Sequence, residues 1–308
     1  MLIFTTLLIK LLPLYGIVLL GYIAGKKLEV QKESVAQLLI YIVSPVVVFS
    51  GVIATELNAS ILSLPILFFI LCCSLCLLFY SVGKLFWTGS EKNILSFTAG
   101  HGNTGYFGLP VLFVLLGDQF LGLAVMMILG FSLYDSTLGF YMVAKGHHTA
   151  KESLKKLLHL PTLYAFFLGI IINYLNISLH PILLDALHNF QGMFVVLGMM
   201  LIGLGLSEVT RASLDYKFTA IAFLAKFVVW PGVMGLIIFL DKTYFHFYNS
   251  STYKIMLLMS IVPLAVNTVA YATKLNTHPE KVSLTVLLST IFALFYIPLF
   301  VVLFFGLV

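Results

Sequence analysis

Long apolar runs, separated by short polar connections, occupy most of the chain. A hydrocarbon core of ~30 Å takes about 20 helical residues to cross. Read at that length, the pattern predicts about ten spans: 3–24, 35–54, 62–84, 94–116, 120–144, 160–177, 186–206, 217–240, 252–274 and 282–307. Two of them carry residues that oppose a helix. "GHGNTGYFGLPVL" (Gly100–Leu112) in the fourth span holds four glycines and Pro110, and "IVPLAVNTVAY" in the ninth places Pro263 four residues before Asn267. In a helix interior Gly costs about 1 kcal/mol relative to Ala and Pro about 3.

Composition turns the pattern into a class. The chain has 308 residues, 61% hydrophobic and 9% charged, against roughly 25% charged in soluble domains. This is an all-α polytopic membrane protein. The longest polar connection, Lys145–His159, is too short to build a soluble catalytic core. The first run is read as a helix rather than a signal peptide, because it contains Lys10 and Pro13 and ends in Lys26-Lys27 instead of a small-residue cleavage site.

A net charge of +5 would suggest nucleic acid in a soluble protein; here its distribution argues for topology. Lys26, Lys27, Lys32, Lys84, Lys92, Lys145, Lys151, Lys155, Lys156, Arg211, Lys217, Lys274 and Lys281 follow odd-numbered spans. Only Lys10, Lys242 and Lys254 fall on the other side. The positive-inside rule then places the odd loops in the cytoplasm and both termini outside. No nucleic-acid partner is expected; the surroundings are membrane lipid. Cys72, Cys73 and Cys76 share one apolar span without a nearby histidine, so they read as packing residues, with no metal and no cofactor.

Short words recur in order. "LPLYGIVLLG" (Leu12–Gly21) is matched by "LPTLYAFFLG" (Leu160–Gly169), and "NTGY" (Asn103–Tyr106) by "NTVAY" (Asn267–Tyr271). The matches fall at equivalent places in two sets of five spans: 1–147 and 160–308, joined by a short cytoplasmic linker, 148–159. With five spans each, the second set enters from the opposite face, which gives an inverted repeat. Interrupted helices at equivalent positions of such repeats point to a binding site near the midplane. Half-helix N-termini favour anions. Asn103, Thr104, Gly105, Asn267 and Thr268 are therefore the candidate substrate-binding residues, and Gly102, Gly108, Pro110 and Pro263 the candidate helix-breaking crossover.

Two charges are predicted inside spans, Asp135 and Lys226. Each lies ~14 Å from its cytoplasmic edge at 1.5 Å per residue, and each costs about 2.5–3.5 kcal/mol at mid-helix without a partner. Similar depth suggests an ion pair, static or used in coupling. His101, beside the glycines, is a weaker coupling candidate. Tyr296 reads as part of an interfacial aromatic belt. An enzyme is not expected: Tyr134-Asp135 has no matching Gly-x-Gly-Asp, and neither a Gly-x-Ser-x-Gly turn nor a His-Glu-x-x-His helix occurs.

"GNTGYFGLPVL" and "VPLAVNTVAYA", in ten spans arranged five plus five, resemble the auxin efflux carrier family. The resemblance implies a sodium/bile-acid symporter-like fold of elevator type. Its scaffold would be spans one, two, six and seven, and its transport domain spans three to five and eight to ten. It implies small organic anion substrates (malonate, malate or auxin-like acids) held by the crossover asparagines, here Asn103 and Asn267. It further implies a cytoplasmic (inner) membrane location, proton or sodium coupling and a homodimer. One departure concerns span three, which lacks the charged residues some plant members carry there. A sodium-coupled bile-acid-type symporter, or a channel or ligand sensor on the same fold, is the alternative.

Overall fold

The computed structural model describes residues 2–144, 159–208 and 214–307, and every regular element among them is helical. In chain order these are α1 (Leu2–Lys27), α2 (Lys32–Ile53), α3 (Ala59–Lys84), α4 (Glu91–Gly100), α5 (104–115) and α6 (Asp118–Val143). There follow α7 (Pro161–Tyr174), α8 (Pro181–Ser207), α9 (Tyr216–Phe245), α10 (Ser250–Ile261), α11 (Asn267–Lys274) and α12 (Pro279–Phe304). Most of the expected linker and all of its lysines, with Arg211, lie outside the described residues.

Seven of these helices (α1, α2, α3, α6, α8, α9 and α12) are long and apolar enough to cross a membrane, which makes the chain multi-pass. Three of the ten expected spans are not single long helices. Span 160–177 is the 14-residue helix α7, short for a bilayer. Span 94–116 is divided into α4 and α5 by non-helical residues 101–103, and span 252–274 into α10 and α11 by 262–266. The breakers were legible; their effect on continuous length follows from them.

Three π turns precede prolines. Leu39–Val43, Thr104–Gly108 and Ala225–Val229 form π turns, and each lies just upstream of a proline: Pro45, Pro110 and Pro231. Proline clashes with the carbonyl four residues back, and a wider turn relieves the clash while leaving that carbonyl in need of a donor. At Pro231 the donor is identifiable, since the Tyr296 hydroxyl donates to the Phe227 carbonyl at 2.5 Å. Tyr296 thus does more than line an interfacial belt.

Close packing relies on small residues. α1 and α8 cross backbone to backbone: a Cβ at Gly21 would strike the Met200 carbonyl oxygen, and one at Gly203 that of Val18. Elsewhere α3 packs on α4 and α6, and α7 on the second half of α2. Polar ties reinforce these neighbours. Asn173 Nδ2 of α7 lies 2.8 Å from the Thr55 carbonyl just beyond α2, and Lys32 pairs with Glu208 at the ends of α2 and α8. At another helix end Lys281 Nζ lies 3.1 Å from the carboxylate of Asp215, the N-cap residue of α9.

Candidate functional site

The two interruptions meet. The last turn of α4 ends at Gly100, and His101 leaves it in an extended conformation (φ −132, ψ 152). α10 ends the same way, with Val262 at φ −63, ψ 154. Between the two extended segments the Asn103 N–H donates to the Pro263 carbonyl at 2.9 Å. Pro263 has no N–H to return, so the bond runs one way. The Leu264 N–H is taken by Ser289 Oγ of α12 at 3.2 Å, and the Ala99 carbonyl by the Trp230 indole N–H of α9 at 2.7 Å. Backbone groups freed within an apolar protein are thereby satisfied by neighbours, as a membrane interior requires.

A cavity of about 380 Å³ lies beside this junction, lined by His101, Gly102, Asn103, Thr104 and Gly105 from the first interruption and by Asn267 from the second. Asp135 of α6 lines it too. The apolar wall includes Val47 and Val48 of α2 and Phe194 of α8. The structure therefore gathers most of the residues expected to bind substrate. Thr268 is fully buried and does not line the space. Gly108 acts as a packing position, where a Cβ would sit 3.2 Å from Met259 Sδ and 3.3 Å from Val262 Cγ1. Pro110 is not where the helix breaks: the gap falls upstream at 101–103, and Pro110 sits in the first turn of Leu109–Leu115.

The expected pairing of Asp135 with Lys226 is not formed. Asn267 Nδ2 instead donates to Asp135 Oδ2 at 3.1 Å. Lys226 is fully buried, its Nζ makes no hydrogen bond, and it lies 4.9 Å from the centre of the Trp230 ring, a cation–π contact. Similar depth along two helices did not specify which faces turn towards each other. Gly102 is what makes room for the ammonium, because a Cβ there would collide with Lys226 Nζ and reach Val262 Cγ2 at 3.1 Å. Lys226 thus stands behind the cavity wall, one backbone away from it.

Several buried polar atoms near the junction also lack a hydrogen-bond partner: His101 Nδ1, Asn103 Nδ2 and Thr268 Oγ1. Buried donors and acceptors are satisfied in nearly all native structures, so such a group calls for an explanation. Tyr106 and Tyr271 line the cavity as well and were not singled out as site residues. The signal was available, since each ends one of the two matching words that begin with Asn-Thr. Among the described residues no cluster of three or more His, Cys, Asp or Glu could hold a metal ion. Cys72, Cys73 and Cys76 are free thiols.

A family model described as membrane transport protein matches residues 6–301. The chain belongs to this membrane transport family. An uncharacterized transporter of Methanocaldococcus jannaschii is 26% identical over 296 residues, covering 92% of this chain and 94% of its own length. A rice protein named as a probable auxin efflux carrier component is 28% identical over 155 residues, 48% of this chain and 34% of the plant protein. The likeness to auxin efflux carriers read from the two interrupted helices is thus met by a plant homologue. The family is one of transporters rather than enzymes, and a transporter implies a transported small molecule.

Proposed function

We propose that this transporter carries small organic anions across the cytoplasmic membrane and holds their carboxylate between Asn103 and Asn267. The observation that carries the reading is the Asn103–Pro263 hydrogen bond joining the two helix interruptions beside a cavity lined by both asparagines. The segments starting at Thr104 and Asn267 bring N-terminal helix ends to this place, which favours an anion without burying a counter-charge in the wall. Orphaned Asn103 Nδ2 is a donor suited to a carboxylate oxygen. Counting the two divided helices and α7 as spans gives ten crossings in a five-plus-five inverted repeat, with both termini outside.

The same reading divides the chain into a scaffold (α1, α2, α7 and α8) and a moving body (the rest). The pattern of polar ties supports that division. Asn173 to the end of α2, Gln191 Nε2 to Ser50 Oγ (3.2 Å) and Lys32 to Glu208 stay within the scaffold. Trp230 to Ala99, Tyr296 to Phe227, Thr219 Oγ1 to Thr285 Oγ1 (2.9 Å) and Lys281 to Asp215 stay within the body. Between the two, among the described residues, lie the ring contacts Tyr15 on Phe107 and Tyr106 on Phe194 and a polar tie from the Tyr15 hydroxyl to the Thr290 carbonyl at 2.7 Å. Ring contacts across such a boundary suit a sliding, elevator-type motion.

The test is binding of a carboxylate panel to the purified protein, with and without sodium. Hydrogen bonds to charged groups contribute about 1.5–3 kcal/mol, so Asn103→Ala should weaken binding roughly tenfold to 150-fold. Unchanged affinity for every acid in both Asn103→Ala and Asn267→Ala would overturn the assignment. Affinity that demands sodium would favour the bile-acid-type symporter instead.

A further inference from the structure

The two asparagines differ in what they hold. Asn103 Nδ2 is buried without a hydrogen-bond partner, whereas Asn267 Nδ2 already donates to a carboxylate of the protein, Asp135 Oδ2, at 3.1 Å. Both Asp135 and Asn267 line the cavity of about 380 Å³. Asp135 opens the π turn Asp135–Gly139 midway along α6, and single π turns inside helices are frequent at functional sites. An acid that docks on Asn267 thus arrives where a carboxylate already stands.

We propose that Asp135 is an internal ligand of Asn267 which an incoming carboxylate displaces, and that Asp135 takes up one proton as it is displaced, so that the protein moves a carboxylate together with a proton. The inference rests on the carboxylate reading above. Two carboxylates sharing one amide in so small an apolar space strongly disfavour each other's charge. In the exchange the Asn267–Asp135 hydrogen bond breaks, an O–H bond forms on Asp135 with a proton from water on the open side, and the amide takes the substrate oxygen. No electrons are transferred. The empty site carries the Asp135 charge, and the loaded site carries that of a monocarboxylate beside a neutral Asp135. The body crosses the membrane with the same net charge either way, and the cycle is electroneutral.

Other ionisable groups surround Asp135. Tyr106 from α5, Tyr134 from its own helix and Tyr271 from α11 interact with it electrostatically. His101 lines the same cavity, and Lys226 of α9 stands behind Gly102. His101 is a rival proton acceptor. Lys226 makes no hydrogen bond to the acid and is a second rival for the proton.

The probe is indole-3-acetate, a monocarboxylate fully ionised at pH 7, titrated calorimetrically into the purified full chain in buffers of different ionisation enthalpy. The expected result is about one proton taken up per acid bound, with Kd rising roughly tenfold per pH unit where Asp135 is ionised in the empty site. Asp135→Asn should bind the probe with uptake near zero and a flat pH profile. Binding without proton uptake by the unaltered protein overturns the inference and leaves the carboxylate reading standing, as does uptake replaced by a sodium requirement. Uptake that persists in Asp135→Asn also overturns it, and its loss in His101→Gln or Lys226→Met would name the acceptor. Should Asp135→Asn fail to fold, His101→Gln decides: retained uptake and pH slope support Asp135, and their loss overturns the inference. If no acid in the carboxylate panel binds, both readings fall together.

Discussion

The two interruptions are built from different materials. The first, 101–103, contains no proline and depends on Gly102, which lies where a side chain would collide with Lys226. The second, 262–266, contains Pro263, whose missing N–H ends the helix directly. The contrast extends to their asparagines: Asn103 is buried with an unsatisfied donor, while Asn267 is half-buried and engaged by Asp135. Two words that match in sequence have therefore acquired different duties. The first side is shaped by what must fit behind it, and the second by what already sits in front.

The sharpest way to break that comparison is at Gly102. A Cβ there displaces a buried ammonium, and overpacking alone costs about 1–3 kcal/mol. Gly102→Ala should lower the thermal midpoint of the purified protein by several degrees, and adding Lys226→Ala should restore much of the loss. Gly105 is the control: a Cβ there meets nothing within 4 Å, so Gly105→Ala should stay within about 0.5 kcal/mol of the parent. Equal destabilisation by both single substitutions would show that the space behind Gly102 is not what the first side depends on.

A smaller effect should separate the prolines. Pro263 lies inside its gap, and its carbonyl receives the Asn103 N–H; Pro110 lies in a helix that has already resumed. Pro263→Ala should weaken carboxylate binding roughly tenfold, about 1.4 kcal/mol. Pro110→Ala should change it by no more than about fivefold, since releasing a proline costs about 0.4–1 kcal/mol. A reversed order, read from the same binding assay, would place the first break at Pro110 after all.

The smallest expected change lies furthest from the junction. Burial pushes the Asp215 carboxyl up, but the Phe218 and Lys217 backbone N–H groups and Lys281 outweigh it and hold the acid below its usual range. A depressed folded-state pKa gives stability that is present above the unfolded value and lost as pH falls through the folded one. Thermal midpoints followed downward from pH 6 should therefore fall less steeply in Asp215→Asn, which keeps a good N-cap. An unaltered acid slope would remove Asp215 from the account.

Much of this was legible before any coordinates. Apolar run length marked the spans, and the clustering of Gly and Pro in two of them located the interruptions at residues 101–103 and 262–266 to within a few positions. Repetition of a short word singled out Asn103, Thr104, Gly105 and Asn267, which line the cavity. Position along the chain was the wrong guide for Pro110, because a proline can follow a π turn and leave the helix running. It also misled for Thr268, whose side chain turns into the packed interior.

The sequence by itself determined membrane residence, the multi-pass plan and the two places where helices had to stop, since these depend on local hydrophobicity and backbone chemistry. Only the tertiary structure decided that Asp135 meets Asn267 and that Lys226 rests on Trp230 behind Gly102. Residue spacing sets how deep a group lies along its own helix, but the rotation of one helix against another comes from packing among residues far apart in the chain.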